Sequence, residues 1–240
     1  MLIFKKMTNQ KVAVITASGK GIGAAIASEL VESGYQVAML SNSDGAVKLA
    51  EKLNGIGVTG SVTEPSDLAK LVNLTIEKYG RIDAVVNNTG HPPKGELLDI
   101  LDVDWHLGLD MLILNVVRIA RFVTPIFIKQ GGGAIVNIST FSAFEPNLNF
   151  PVSSTLRSGL ASFTKLYADR YAEFGIRMNN VLPGYVDNYP ISEANIAKIP
   201  MKRYAKVQEI AKTVRFLLSD DAGYITGQNI RADGGVTHSI

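Results

Sequence analysis

Cysteine is missing from all 240 residues, which excludes a disulfide frame, a thiolate nucleophile and any cysteine metal site, and agrees with a reducing cytoplasm. Histidine is scarce: His91, His106 and His238 are the three present, and their spacing suits no metal site. Neither sign of charge dominates. Twenty-four Lys plus Arg against 22 Asp plus Glu leave a formal +2, too little for the electrostatic footprint of a nucleic-acid or anionic-lipid binder. The N-terminal "MLIFKKM" falls far short of a signal peptide's apolar region, and no later run reads as a bilayer span. The expectation is a cytoplasmic protein whose partner is small or uncharged.

What is present is enough apolar residue, 46%, to bury one large core, so the chain reads as one domain over residues 1–240 with residues 1–9 as an extension. Short β-branched runs alternate with stretches at helical spacing: "KVAVIT" (11–16), "QVAML", "IGVTG", "IDAVVNN", "GAIVNIS", "IRMNNVLP" and "GQNIRADGG" read as seven strands. "GIGAAIASELVESG" reads as a helix closed by Gly34. This alternation implies a doubly wound α/β domain, its sheet mostly parallel and covered by helices on both faces, with ligands bound at the carboxyl ends of the strands.

"TASGKGIG" (16–23) follows the first strand and opens the first helix, the setting a glycine-rich dinucleotide loop needs. Gly19 and Gly21 let the backbone turn against a pyrophosphate, and Gly23 allows close helix packing. The helix N-terminus offers free N–H groups and partial positive charge. A purely structural turn is the alternative for the glycines taken alone.

Further motifs follow in order, and together they resemble the short-chain dehydrogenase/reductase family over nearly the whole chain. The loop is similar to the family's Thr-Gly-x-x-x-Gly-x-Gly, with Ala17 in place of the first glycine; "NNTG" (87–90) is similar to its Asn-Asn-Ala-Gly. Asn115 in "LILNVV" corresponds to the asparagine of the long fourth helix, "IVNIST" (135–140) to the fifth strand and its serine, "LPGYVDN" (182–188) to the Pro-Gly loop, and "YITGQNIRADGG" (224–235) to the last strand. The resemblance implies a single-domain Rossmann fold. It also implies cofactor contacts from Thr16, Ser18, Gly19, Lys20, Gly21, Ile22 and Gly23 in the first loop. Ser41, Asn42, Ser61 and Val62 would meet the adenosine half; Asn88, Thr89, Gly90, Arg157, Pro183, Gly184 and Val186 would meet the rest.

Charge bears on which dinucleotide is held. Relatives that prefer NAD usually carry an acidic residue after the second strand, whereas Ser41 and Asn42 stand here, so nothing repels a 2′-phosphate. Lys20 offers a cation to that phosphate, as NADP-preferring relatives do at this position. NADP(H) is therefore favoured over NAD(H), although Lys20 also reads as a solvated loop lysine and Asp44 lies nearby in sequence. Ser61 stands where the family usually has an aspartate touching the adenine amine.

In the family a tyrosine exchanges the proton at the carbonyl or alcohol oxygen, and a lysine four residues on lowers the tyrosine pKa and binds the nicotinamide ribose. A serine donates to the substrate oxygen, and an asparagine orders a water next to the lysine. Counting from the fifth strand, Thr140 takes the serine position, Ser153 the tyrosine position and Arg157 the lysine position; Asn115 is retained. An aliphatic hydroxyl is a far weaker acid than a phenol of pKa about 10, and arginine does not relay a proton.

Substitutes for the phenol are few. Tyr167 and Tyr171 lie too far along the same helix, Tyr167 by about 21 Å at 1.5 Å per residue. The enoyl reductase branch's tyrosine position is Phe150. His91, Tyr185, Tyr189 and a water held by Thr140, Ser153 and Arg157 are left, each with a bland alternative as loop, lid or packing group. Phe141, Phe144 and Phe150 read either as a pocket wall for a partly apolar substrate or as core. Arg118 and Arg121 read as a solvated or subunit-facing stripe, and His106 and His238 as structural. The resemblance implies a homodimer or homotetramer through the fourth and fifth helices. Two functions stay open: an atypical NADP(H)-dependent oxidoreductase of a small carbonyl or alcohol, and a cofactor-binding sensor or partner subunit without turnover.

Overall fold

Four strands carry an asparagine at one level of the sheet. Asn87 on β4 (Ala84–Asn87) is paired in register with Asn137 on β5 (Gly133–Ile138). Asn137 is paired with Asn180 on β6 (Ile176–Pro183), and Asn180 with Asn229 on β7 (Asn229–Ala232). In a parallel ladder equivalent side chains stack on one face, so each amide meets the next. Asn87 Nδ2 donates to Asn137 Oδ1 at 2.8 Å, Asn137 Nδ2 to Asn180 Oδ1 at 2.9 Å and Asn180 Nδ2 to Asn229 Oδ1 at 2.7 Å. Thr164 from the overlying helix α6 (Pro151–Tyr171) enters the chain, accepting from Asn137 and donating to Asn180.

The chain is described by a computed structural model over residues 10–239; the expected extension over residues 1–9 lies outside the described residues. The remaining strands are β1 (Val12–Ile15), β2 (Gln36–Ser41) and β3 (Ile56–Thr59). Sheet order is β3-β2-β1-β4-β5-β6-β7, and every pairing is parallel. The sheet is therefore wholly parallel rather than mostly so. The order reverses between β1 and β4, which opens a crevice at their carboxyl ends.

Both faces are covered. Strand residues such as Ala13 and Ile15 face one core with α1 (Gly21–Glu32), α2 (Gly45–Leu53) and α8 (Val207–Leu218). Val14, Val85 and Ile135 face the other with α3 (Pro65–Tyr79), α5 (Asn115–Gln130) and α6. Near-continuous apolar strands are what burial on two faces requires. A short α7 (Glu193–Lys198) lies in the long connection after β6.

One expectation needs correction. Helix α4 (Asp102–Leu109), a π-turn (Asp110–Leu114) and α5 form a rod of 29 residues, whose most apolar 18-residue window has a mean hydropathy of 1.8. By length and composition alone it meets the requirement for crossing a bilayer. Its inner face, with Val116, Ile119, Val123 and Phe127, packs into the second core, as a core helix does.

Asn137→Ala is expected to leave Asn87 Nδ2 buried without a partner and Asn180 Oδ1 with Thr164 alone, and to lower the unfolding free energy by about 2–3 kcal/mol with little change in m, as read by urea denaturation.

Candidate active site

The loop between β1 and α1 is fixed from below. Thr16 Oγ1 donates to Asn88 O at 2.7 Å and accepts from Asn88 N at 2.9 Å, and Asn88 Nδ2 donates to Ala17 O at 3.0 Å. Ser18 is buried, its N–H on Leu40 O and its hydroxyl on Ile15 O. These bonds join the ends of β1, β2 and β4. Gly21 takes a φ of 57° at the start of α1, and a Cβ on Gly23 would fall 2.4 Å from Ala17 O, so the helix approaches the loop as the sequence requires. Among the described residues the N–H groups of Gly21, Ile22 and Gly23 meet no acceptor. Lys20 precedes them in extended conformation and is exposed. Free N–H groups at a helix start suit an anion, and the residues here fit a dinucleotide pyrophosphate.

The adenosine side is more closed than the sequence implies. Ser41 is buried; its hydroxyl accepts from Ala46 N at 2.9 Å and donates to Ser43 O at 2.8 Å, so it holds the start of α2. Asn42, exposed, is the free side chain at this edge. Ser61 Oγ pairs with Thr63 Oγ1 at 2.7 Å, and Val62 is buried beside it. Asn188 was not singled out from sequence, yet it lies against Gly21, its Nδ2 within 3.3 Å of where a Cβ would stand. Its place in "PGYVDN" two residues after Val186 is the signal that could have found it.

Asn115 owes its setting to the π-turn. Its own N–H bonds to Asp110 O, five residues back, which leaves Met111 O without the usual helical donor. The Asn115 side-chain amide donates to Met111 O, while its Oδ1 is buried and unpartnered. A π-turn inside a long helix often marks a site in this way.

Helix α6 packs against this π-turn and begins at Pro151, whose missing N–H costs nothing at a first helical position. It carries Ser153 and Arg157 one turn apart, 9% and 7% exposed. Ser153 Oγ has no hydrogen-bond partner among the described residues. Arg157 Nη1 donates to Ile138 O at the end of β5, its Nε is unpartnered, and no carboxylate pairs with it. Burial pulls its pKa down to about 10, opposed by the phenol of Tyr189. Thr140 Oγ1 accepts from Ser142 N and Ser142 Oγ, which leaves its own proton available.

Four buried polar atoms without partners thus belong to this end of the sheet: Asn87 Oδ1, Thr89 Oγ1, Asn115 Oδ1 and Arg157 Nε. Buried polar groups are normally satisfied, so the set fits a ligand or ordered water arriving between them.

The segment after β6 forms the roof. Pro183 ends the strand; Val186 is buried and bridges Ala205, and Tyr185 O accepts from Ala205 N, closing the base of the loop. Gly184 packs on Asp233. Tyr189 meets the ring of His91 at 5.0 Å, so the roof rests on the loop after Gly90. His91 is held below its ordinary pKa by burial, then by the charges of Lys94 and Arg157. Tyr185 is half-buried between Phe141 at 5.8 Å and Tyr204 at 5.5 Å, and burial raises its pKa.

Other expected residues fall elsewhere. Tyr167 OH bonds Thr124 Oγ1 at 2.6 Å between α5 and α6, away from the site, and Tyr171 stacks on it. Arg118 corrects the expectation of a solvent- or subunit-facing stripe: it pairs with Asp110 at 2.6 Å and bonds Thr63 O at 3.0 Å, tying the long helix to the loop after β3. Arg121 is exposed, as are His106 and His238. None of the three phenylalanines is buried: Phe144 is exposed beneath Arg231, Phe141 faces Tyr185 and Phe150 lies under Lys94 Nζ at 4.6 Å.

A family model described as Enoyl-(Acyl carrier protein) reductase matches residues 16–237. The chain is 32% identical to 3-oxoacyl-(acyl-carrier-protein) reductase FabG of Thermotoga maritima, covering 94% of this chain and 97% of that protein. It is also 32% identical to Dehydrogenase/reductase SDR family member 4 of Caenorhabditis elegans, covering 94% and 95%. Among solved structures, L-sorbose reductase from Gluconobacter frateurii, complexed with NADPH and L-sorbose, superposes with a TM-score of 0.88 at 26% identity, covering 98% of this chain and 99% of that one.

Ala17 occupies a left-handed conformation, φ 45°. Ala17→Gly is expected to stabilise the protein by about 0.5–1 kcal/mol through relief of that strain, visible as a raised midpoint in thermal unfolding.

Proposed function

The chain belongs to the short-chain dehydrogenase/reductase family and is an oxidoreductase of that type, and from that premise we propose that it is an NADP(H)-dependent reductase of a small ketone whose proton does not come from a tyrosine. The observation that carries this reading is the set of four unpartnered buried atoms beside an open helix N-terminus. When bound, the nicotinamide supplies or takes the hydride at the substrate carbon. Gly21, Ile22 and Gly23 would hold the pyrophosphate by their N–H groups, and Lys20 the 2′-phosphate. Ser153 and Arg157 stand in the tyrosine and lysine positions, and Arg157 would hold the nicotinamide ribose. Thr140 and Ser153 would orient the substrate oxygen with their free hydroxyl protons.

His91 is the proposed proton donor. Burial, and then the charges of Lys94 and Arg157, make its imidazolium a stronger acid than an unperturbed histidine. The relatives named above for 3-oxoacyl and L-sorbose substrates reduce ketones, which supports a carbonyl as the reacting group. Assembly as a homodimer or homotetramer in the cytoplasm belongs to the same proposal.

Fluorescence titration with NADPH and NADH, followed by turnover on a carbonyl panel, tests the reading. Tight NADPH binding with turnover supports it; binding with no turnover except in a Ser153→Tyr, Arg157→Lys variant would instead establish a sensor. Lys20→Ala is expected to weaken NADPH about tenfold and leave NADH unchanged. His91 must be protonated to act in reduction and burial holds it below its ordinary pKa, so kcat/KM is expected to fall as pH rises through that lowered pKa. His91→Gln is expected to remove this limb of the profile.

A further inference from the structure

Arg157 is a buried cation at the site, and no carboxylate among the described residues answers its charge. The side chain is 7% exposed, and among the described residues its single hydrogen bond goes to the neutral carbonyl of Ile138. No Asp or Glu reaches it: Asp110 is paired with Arg118, Glu145 binds the N–H groups of His238 and Ser239, and Asp187 accepts from Val207 N. A buried cation without an anion is strongly unfavourable. The cofactor half expected beside it bears neutral ribose hydroxyls, and the phosphates belong to the glycine loop.

The surroundings add to the positive field. Helix α6 is 21 residues long and directs its N-terminus here, with the N–H groups of Val152 and Ser153 and the hydroxyl of Ser153 unpartnered. Lys94 Nζ sits over the Phe150 ring at that same helix start. His91 belongs to the loop that carries Lys94. A dipole end, free N–H groups and an unpaired guanidinium together favour a compact anion.

We propose, resting on the reductase reading above, that the substrate carries a carboxylate next to its reacting ketone, and that this carboxylate pairs with Arg157 and the first turn of α6. Arginine's fork fits a carboxylate through two parallel bonds, which lysine's ammonium does not reproduce. The arginine at position 157 then sets specificity: the anion neutralises a charge that no carboxylate among the described residues answers, and a neutral ketone leaves it bare.

The test uses the full chain. NADPH oxidation is followed with 2-oxobutanoate, 3-oxobutanoate and the methyl ester of each, and calorimetry measures oxamate and malonate binding to the NADPH complex. The wild type is expected to favour an acid over its ester by about 100-fold or more in kcat/KM, as a site built around a polar contact does. Arg157→Gln is expected to bring acid and ester within about fivefold of each other and to abolish oxamate binding, while Arg157→Lys retains part of both. Equal use of acid and ester by the wild type overturns the proposal and leaves the reductase reading intact. Oxamate or malonate binding that depends on Arg157, without turnover of any ketone, upholds the anion site and defeats the reductase reading. Failure of both anions to bind, or binding indifferent to Arg157→Lys, also overturns it.

Discussion

Four amides joined head to tail across β4, β5, β6 and β7 hold the half of the sheet that the site stands on. A parallel sheet has no hairpin turns to fix its register, and apolar strands buried on both faces tolerate slippage better than alternating ones. A buried amide chain does not, because moving one strand by one residue turns its asparagine to the opposite face and strands two hydrogen-bonding groups. The ladder thereby keeps Asn87, Asn137 and Asn180 at one level, and with them sets the height of the loops that follow. Thr164 locks α6 to the same ladder, which fixes where Ser153 and Arg157 stand.

The site follows from this by short steps. The crevice opens where the strand order reverses, between the loop clamped by Thr16 and the loop after Asn87. The π-turn puts Asn115 against α6 and leaves an acceptor over; α6 then delivers a hydroxyl with no partner among the described residues and a guanidinium bonded there to Ile138 O alone. Buried groups without partners are costly to the fold, and a ligand that met them would lower that cost. Local frustration of this kind is expected where function, rather than folding, chose the residue.

Much of the fold was legible in the linear chain. Periodicity and turn residues gave seven strands and the helices between them, and the spacing from Thr140 to Ser153 and Arg157 put the unusual pair on one face of a helix. The adenosine edge was read less well. Ser41 looked available from its position after β2, but a small hydroxyl beside a helix start turns back to cap that start. Arg118 looked solvent- or subunit-facing from its spacing with Arg121, and the structure pairs it with Asp110 across the π-turn and with Thr63 O. The 29-residue rod escaped notice as a single apolar helix because its window crosses a π-turn and scattered polar residues.

The chain by itself determined what short-range chemistry encodes: the order of elements, the glycine turn, the helix that starts at a proline, and the identity of residues at stated offsets. Tertiary structure alone decided which side chains from distant segments meet. The asparagine ladder joins positions about fifty residues apart at each step, visible only once the strands are in register. The contact of His91 with Tyr189 needs the roof folded down. That Arg157 meets no carboxylate among the described residues is a fact about all of their positions at once, since each possible partner has to be placed elsewhere.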